Sequence, residues 1–391
     1  MKNLFCTASL FLLGAWSASA QTPRVFQFTP ASLVQAKAHP SPEILAQVRH
    51  EADFALKSPA LTVTSKLQTP PSGDKRDFMS MGAYWWPNPD TPNHLPYVRH
   101  DGLRNPEALA LPDDKTLLHV CKYSRSLALG YYLTGDERYA AHAALLLRAF
   151  FLTPATAMHP NLNYAQYIPG SNTGRGAGIL DGRELPMVVD ALGMLAGYSN
   201  WTAADEAGMR HWFTEYYTWL TTSKAAGQEN HAPNNHGSWF QEQIGPIALY
   251  LGKQDEARAT YEQVRTERIP AQIDAEGMQK FEMVRTQSFS YSAFNLEALT
   301  TASATAQQIG VDLFQPVKPG APGILTAIDV LMVYDPQHKW PHQQITDHKE
   351  DSLCPSLYFA AAYTHAAKYK DALKRFKCVP TAAQMIQTPV D

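Results

Sequence analysis

The chain has 391 residues, with 33 Lys and Arg against 36 Asp and Glu for a formal net charge of −3, and 45% of it is hydrophobic. That is enough chain for one large or two ordinary domains with a substantial core, and the charge balance excludes the basic footprint of a nucleic-acid-binding protein. If the ligand is a polyanion, the positive charge that meets it must be local to a cleft.

The first twenty residues, MKNLFCTASLFLLGAWSASA, carry Lys2, an apolar run from Leu4 to Trp16 and Ala18-Ser19-Ala20 ahead of Gln21. They read as a secretory signal with an A-x-A cleavage site, so a periplasmic or secreted protein is expected. No later stretch is apolar for long enough to insert in a membrane. Of the four cysteines, Cys6 leaves with the signal. The odd remainder, Cys121, Cys354 and Cys378, permits one bridge, with Cys354 to Cys378 closing the shortest loop. Such scatter is neither a disulfide scaffold nor a Cys-rich zinc site.

From there the hydrophobic spacing predicts helices over 42–58, 117–133, 136–151, 185–198, 203–222, 239–251, 289–309, 324–333 and 352–369. Thr202 with Asp205 and Glu206 reads as a helix start, and Gly135 and Gly227 read as helix ends. Alternating β-branched runs are almost absent. The fold class expected is all-α, and helices of similar length joined by short turns suggest antiparallel pairs. With no short solenoid repeat, an incomplete α/α toroid of such pairs with long lid loops is favoured. No low-complexity linker appears, and residues 21–391 are read as a single domain.

Three segments interrupt the helices. Residues 68–115 are rich in Pro, Gly and aromatics, including Tyr84, Trp85, Trp86 and Tyr97, and are too long for an idle linker, so a folded lid or cleft wall is expected. Here Trp85 and Trp86 offer sugar-stacking faces and Lys75 a charge, although packing on the helices would also explain the aromatics. Residues 159–184 contain GSNTGRGAG, which lacks the Lys-Ser/Thr and preceding strand of a phosphate loop and leaves Gln166, Asn172 and Arg175 as candidate substrate contacts. The third segment, 334–351, holds His338, His342 and His348. Pro341 breaks any helix that would align the first two, so no metal or other cofactor is assigned.

Two helical segments carry polar groups out of keeping with a core. NNHGSW, residues 234–239, reads either as a helix start capped by Asn234 or Asn235, or as amides, an imidazole and Trp239 gathered around an anion; a helix N-terminus suits both. FEMVRTQSFSYSAFNLEAL, residues 281–299, puts Arg285 six residues before Tyr291. A bend between them would let both reach one pocket, and Glu282 at i−3 could hold the guanidinium.

Taken in order, SGDKRDFMSMGAYWWPNPDTPNHLPYVRHDGLRNPE, NYAQYIPGSNTGRGAGILDGRE, NNHGSW and RTQSFSYSAFNLEAL resemble the alginate lyase superfamily of polysaccharide lyases, including its glucuronan-cleaving branch. The resemblance covers most of the mature chain. It implies an incomplete α/α toroid with a deep cleft, an anionic polyuronate as partner, and eliminative cleavage without an obligatory metal. It also places the family's functional amide, histidine, arginine and tyrosine on Asn235, His236, Arg285 and Tyr291. The SAFN that follows Tyr291, and the fuller motif from Tyr84 to Asn88, lean the resemblance toward the branch that accepts glucuronan.

The chemistry needs groups of these types. Removing the C5 proton of a uronate builds charge beside a carboxylate, which Asn235 with Arg285 or His236 would stabilise. In β-D-mannuronate and β-D-glucuronate the C5 hydrogen and O4 share a face, so elimination is syn and Tyr291 could serve both ends, with His236 as its partner or as the base itself. Two other readings remain. A glycoside hydrolase would need a carboxylate pair such as Asp181 with Glu184 or Glu276 with Glu282, and a non-catalytic oligouronate-binding protein would need only the Trp85 and Trp86 platform.

Overall fold

The computed structural model describes residues 22–335, 337–347 and 351–389; the segment 1–20, expected to be a secretory signal, and His348 lie outside the described residues. Helices α1 (Pro30–Ala38) and α2 (Pro42–Ala55) lead in, and a single turn, α3 (Pro106–Leu109), sits in the long loop that follows. Next come α4 (Asp113–Thr134), α5 (Glu137–Leu147), α6 (Pro186–Met194), α7 (Ala203–Thr222), α8 (Lys224–Asn230), α9 (Asn235–Leu251) and α10 (Gln254–Gln263). Two short turns, α11 (Ile269–Gln272) and α12 (Lys280–Met283), precede α13 (Ser288–Gln308), α14 (Ile324–Leu331), α15 (Cys354–Thr364), α16 (Ala367–Arg375) and α17 (Ala382–Gln387).

Alternate helices form two layers. On the inside α4 packs on α6, α6 on α9, α9 on α13 and α13 on α15. On the outside α5 backs α4, α7 and α10 back α9, α14 backs α13 and α16 backs α15. This is the incomplete α/α toroid; α17 packs on α1 and α2, and those two pack on α4. The inner helices are buried on nearly every side, which is why α9 and α13 show little of the one-faced patterning of a surface helix.

Local signals explain most boundaries. Thr202 and Asp205 form a reciprocal capping box at α7, and Gly135 ends α4 in the left-handed conformation at φ 72°. Two expectations are corrected. Gly227 ends no helix; α7 stops at Thr222, and Ser223 caps the separate helix α8, in which Gly227 lies. The segment 352–369 is two helices, because His365 takes φ 55° and turns the chain between α15 and α16. Cys354 and Cys378 form a disulfide, and Cys121 is a buried thiol.

The loops fold onto one end of the ring. Strand β1 (Met79–Met81) pairs in parallel with β4 (Tyr164–Tyr167), tying the first long segment to the second. Strands β2 (Trp85–Trp86) and β3 (Val98–Arg99) make a small antiparallel ribbon. The third segment is anchored where Ser288 N donates to Gln343 O.

Inside the ring, the fully buried Asp190 carboxylate accepts from the backbone N–H groups of Phe26, Gln27 and Phe28 and pins the N-terminal strap. Glu242, also fully buried, accepts from Gln27 Nε2 at 2.8 Å through Oε1, while Oε2 has no partner among the described residues. Burial pushes the Glu242 carboxyl up to about 8 from its ordinary 4.5, against the opposing bond from Gln27. Because the folded value lies above the unfolded one, the stability this group contributes is full below pH 4.5 and is lost as pH rises through about 8. Thermal melts should therefore show the protein losing roughly 2–4 kcal/mol between pH 5 and 9, a loss that Glu242→Gln should reduce. Equal pH dependence in the two proteins would contradict this.

Candidate active site

The loops and the end of the ring enclose a cleft of about 790 Å3. Eight of the residues expected to act in catalysis or hold the polyuronate line it: Tyr84, Trp85, Gln166, Arg175, Asn235, His236, Arg285 and Tyr291. Six cationic side chains, Arg99, Arg104, Lys115, Arg175, Arg183 and Arg285, face three acidic ones, Asp114, Asp181 and Glu184. A chain of slightly negative net charge thus concentrates positive charge in its cleft, as a polyanion requires.

Asn235 and His236 stand on the first turn of α9, held from several sides. Asn234 occupies the cap position without capping through its side chain, while the buried Asn235 donates its backbone N–H and its Nδ2 to Glu282 at 2.6 and 2.9 Å. Gln272 Nε2 donates to the carbonyls of Pro233 and Asn234, and Arg268 donates to those of Asn230 and Ala232. Gly237 is needed here, since a Cβ would collide with Ala232 O and the Arg268 guanidinium. His236 Nδ1 lies 2.6 Å from Glu229 Oε1.

Arg285 and Tyr291 reach the same cleft because the chain is not helical between α12 and α13. The guanidinium carbon sits 3.6 Å from the Tyr291 ring centroid, a cation on an aromatic face. Glu282, occupied by Asn235, does not hold Arg285 as the spacing suggested. Asp101 does, accepting from Nε at 3.1 Å and from Nη2 at 2.7 Å, and also from Thr286 N and Oγ1. Burial works against the Asp101 charge, but the bonds from Arg285 and Thr286 outweigh it and hold the carboxyl well below its usual range. Arg285 thereby remains a firm cation, with Nη1 outside the Asp101 pairing.

The Tyr291 hydroxyl is buried and, among the described residues, has no partner at hydrogen-bonding geometry. Burial above all, then the neighbouring Tyr84 phenol, push it well above the ordinary phenol range, and the Arg285 charge only partly opposes them. Tyr291 therefore rests as a neutral phenol.

The glycine-rich segment supplies a second network. Gln166 is held at φ 48°, a strained setting for a non-glycine residue. Ser80 Oγ accepts from its N–H, its Nε2 donates to Asp181 at 2.9 Å, and Arg175 Nη2 donates to its Oε1 at 2.8 Å. Arg175 also lies 6.0 Å from the Trp85 ring centroid.

Four sequence candidates are not among the lining residues. Lys75 Nζ donates to Lys66 O and Lys66 Nζ to Lys75 O, closing a loop that the buried Lys66–Asp113 ion pair ties to α4. Trp86, next to Trp85 on a strand, points the other way and donates its indole N–H to Leu103 O. Asn172 Oδ1 accepts from Ile168 N and closes its own turn. Trp239 is buried behind the cleft against Phe294, 5.1 Å between ring centroids. Of the hydrolase pairs, Asp181 and Glu184 do line the cleft, but Asp181 is bonded to Ser80 and Gln166; Glu282 is bonded to Asn235, and Glu276 is exposed outside the cleft. His338 pairs with Asp335 and His342 lies against the Trp340 ring.

Sequence reasoning missed Asp101, Glu229 and Arg183. Asp101 precedes Gly102 at φ 78°, so Asp-Gly reads as nothing more than a turn, and no local pattern links Glu229 to a histidine seven residues on.

Comparison with known proteins adds the family. The alginate lyase family model matches residues 62–340. A crystal structure of an alginate lyase from Bacteroides ovatus is 34% identical with a TM-score of 0.87, covering 94% of this chain and 100% of that one. A histidine-to-alanine variant of alginate lyase A1-III complexed with tetrasaccharide is 15% identical with a TM-score of 0.61, covering 96% and 98%. Alginate lyase A1-III from Sphingomonas species A1 is 17% identical with a TM-score of 0.53, covering 88% and 95%. No curated protein matches.

Proposed function

The chain belongs to the alginate lyase family and is a polysaccharide lyase; from that premise we propose that it cleaves β-1,4-linked polyuronates, glucuronan or mannuronate-rich alginate, by syn elimination. The observation that carries the reading is the convergence of Asn235, His236, Arg285 and Tyr291 on one cationic cleft.

The roles follow from the resting state. Arg285, through Nη1, and Asn235, through the amide hydrogen not given to Glu282, bind the uronate carboxylate and draw off the charge that builds as C5–H breaks. His236 takes the C5 proton. The electron pair forms the C4=C5 bond, the C4–O4 bond breaks, and neutral Tyr291 hands its proton to O4. A raised phenol suits that last role, because the proton must be present at the moment the bond breaks. Trp85 and Arg175 flank the sugar chain as stacking face and counter-charge.

Export to the periplasm or the medium is part of this proposal, supported by the signal-like leader and by the Cys354–Cys378 disulfide, which suits an oxidising compartment. Mass spectrometry of the digest tests the reaction class. Elimination predicts fragments carrying an unsaturated uronate, one water lighter than hydrolytic fragments of the same length. Saturated fragments alone would mark a hydrolase, and intact polymer with oligouronate still bound would mark a binding protein.

A further inference from the structure

Glu229 has no place in the chemistry above, yet its carboxylate is almost fully buried at the back of the cleft and is spent on His236. The contact is short, 2.6 Å between Oε1 and Nδ1, and joins two helices, Glu229 near the end of α8 and His236 at the start of α9. Arg175 and Arg268 lie near enough for the Glu229 charge to act on both, so the carboxylate sits among cations. Arg268 donates to Asn230 O and Ala232 O, which locks the turn between the two helices and with it the spacing of the pair.

We infer that Glu229 is a positioning residue that fixes the tautomer and ring orientation of His236. An ionised carboxylate can only accept, so the proton of a neutral imidazole must lie on Nδ1, leaving Nε2 bare for the C5 proton. In the other tautomer Nε2 would carry hydrogen and could take nothing. When His236 becomes imidazolium, the same carboxylate faces the new charge and stabilises it, as a buried acid behind a catalytic histidine does. This deepens the lyase reading and rests on it for the role of Nε2. The tautomer itself does not depend on that reading.

The test is nitrogen-15 NMR of histidine-labelled protein, with the His236 signals assigned by their loss in His236→Gln. The native protein should show a protonated Nδ1 and a bare Nε2. Glu229→Gln keeps the size and one acceptor but adds a donor, so the two tautomers should mix and kcat on polyuronate should fall at least about tenfold with KM changed far less. Glu229→Asp should restore part of the loss. A native His236 protonated on Nε2, or a Glu229→Gln protein with native tautomer and kcat, would overturn the inference. The native spectrum does not depend on any Glu229 variant folding. A bare Nε2 in a protein that cleaves no polyuronate would support the orientation while removing the lyase reading.

Discussion

Tyr291→Phe should lower kcat on a polyuronate by roughly 10²–10⁴, the usual range for removing a positioned proton donor. The substitution removes one oxygen and little else. Among the described residues that hydroxyl has no hydrogen-bond partner of good geometry, the Tyr84 phenol being its polar neighbour, so its loss leaves no firmly bonded buried partner behind. The ring stays as the face on which Arg285 rests. Thermal stability should therefore hold, and oligouronate should bind within roughly tenfold of native, since one neutral hydrogen bond contributes at most about 1.5 kcal/mol. Equilibrium titration with oligouronate beside steady-state rates separates the two effects. More than about a tenth of native kcat in the variant would place the acid elsewhere.

Arg285→Ala should cost about 10²–10³ in kcat/KM, the range for removing one preorganised donor to a developing anion. Two losses combine. The uronate carboxylate loses its cation, and Asp101 loses its Arg285 partner while keeping the Arg99 guanidinium at 2.6 Å and the Thr286 N–H. Arg285→Lys should recover little, because a single ammonium cannot grip both Asp101 oxygens and still present a free edge to substrate. Rates on native polymer and on polymer with its carboxylates esterified provide the check. The native protein should favour the acid form strongly, and the alanine variant should lose most of that preference. A lysine variant with native rates would show that charge alone suffices.

The toroid was legible because nine stretches of helical spacing with few β-branched runs leave little else to build, and capping chemistry marked α7 and the end of α4 in plain sight. The break at His365 was not, since nothing in THAAK announces a left-handed residue. At the site, the residues that touch substrate in this account stood in unusual local company and could be read. Those that hold them could not. Asp101 is 184 residues from Arg285, and Glu282 is 47 from Asn235. Such pairings are set by how the loop and helices meet in space, which local periodicity does not encode. Lys75 and Trp86 show the converse error, polar and aromatic residues conspicuous in sequence that the fold spends on closing its own loops.

The most direct measurement is ultraviolet absorbance over time with the mature protein on polymannuronate, polyguluronate and glucuronan in separate cuvettes, since only elimination creates the C4=C5 bond conjugated to the carboxylate. The account predicts a steady rise on glucuronan or polymannuronate, and little on polyguluronate, where the C5 hydrogen and O4 lie on opposite faces. No rise on any of the three, from protein that still binds oligouronate, would contradict it.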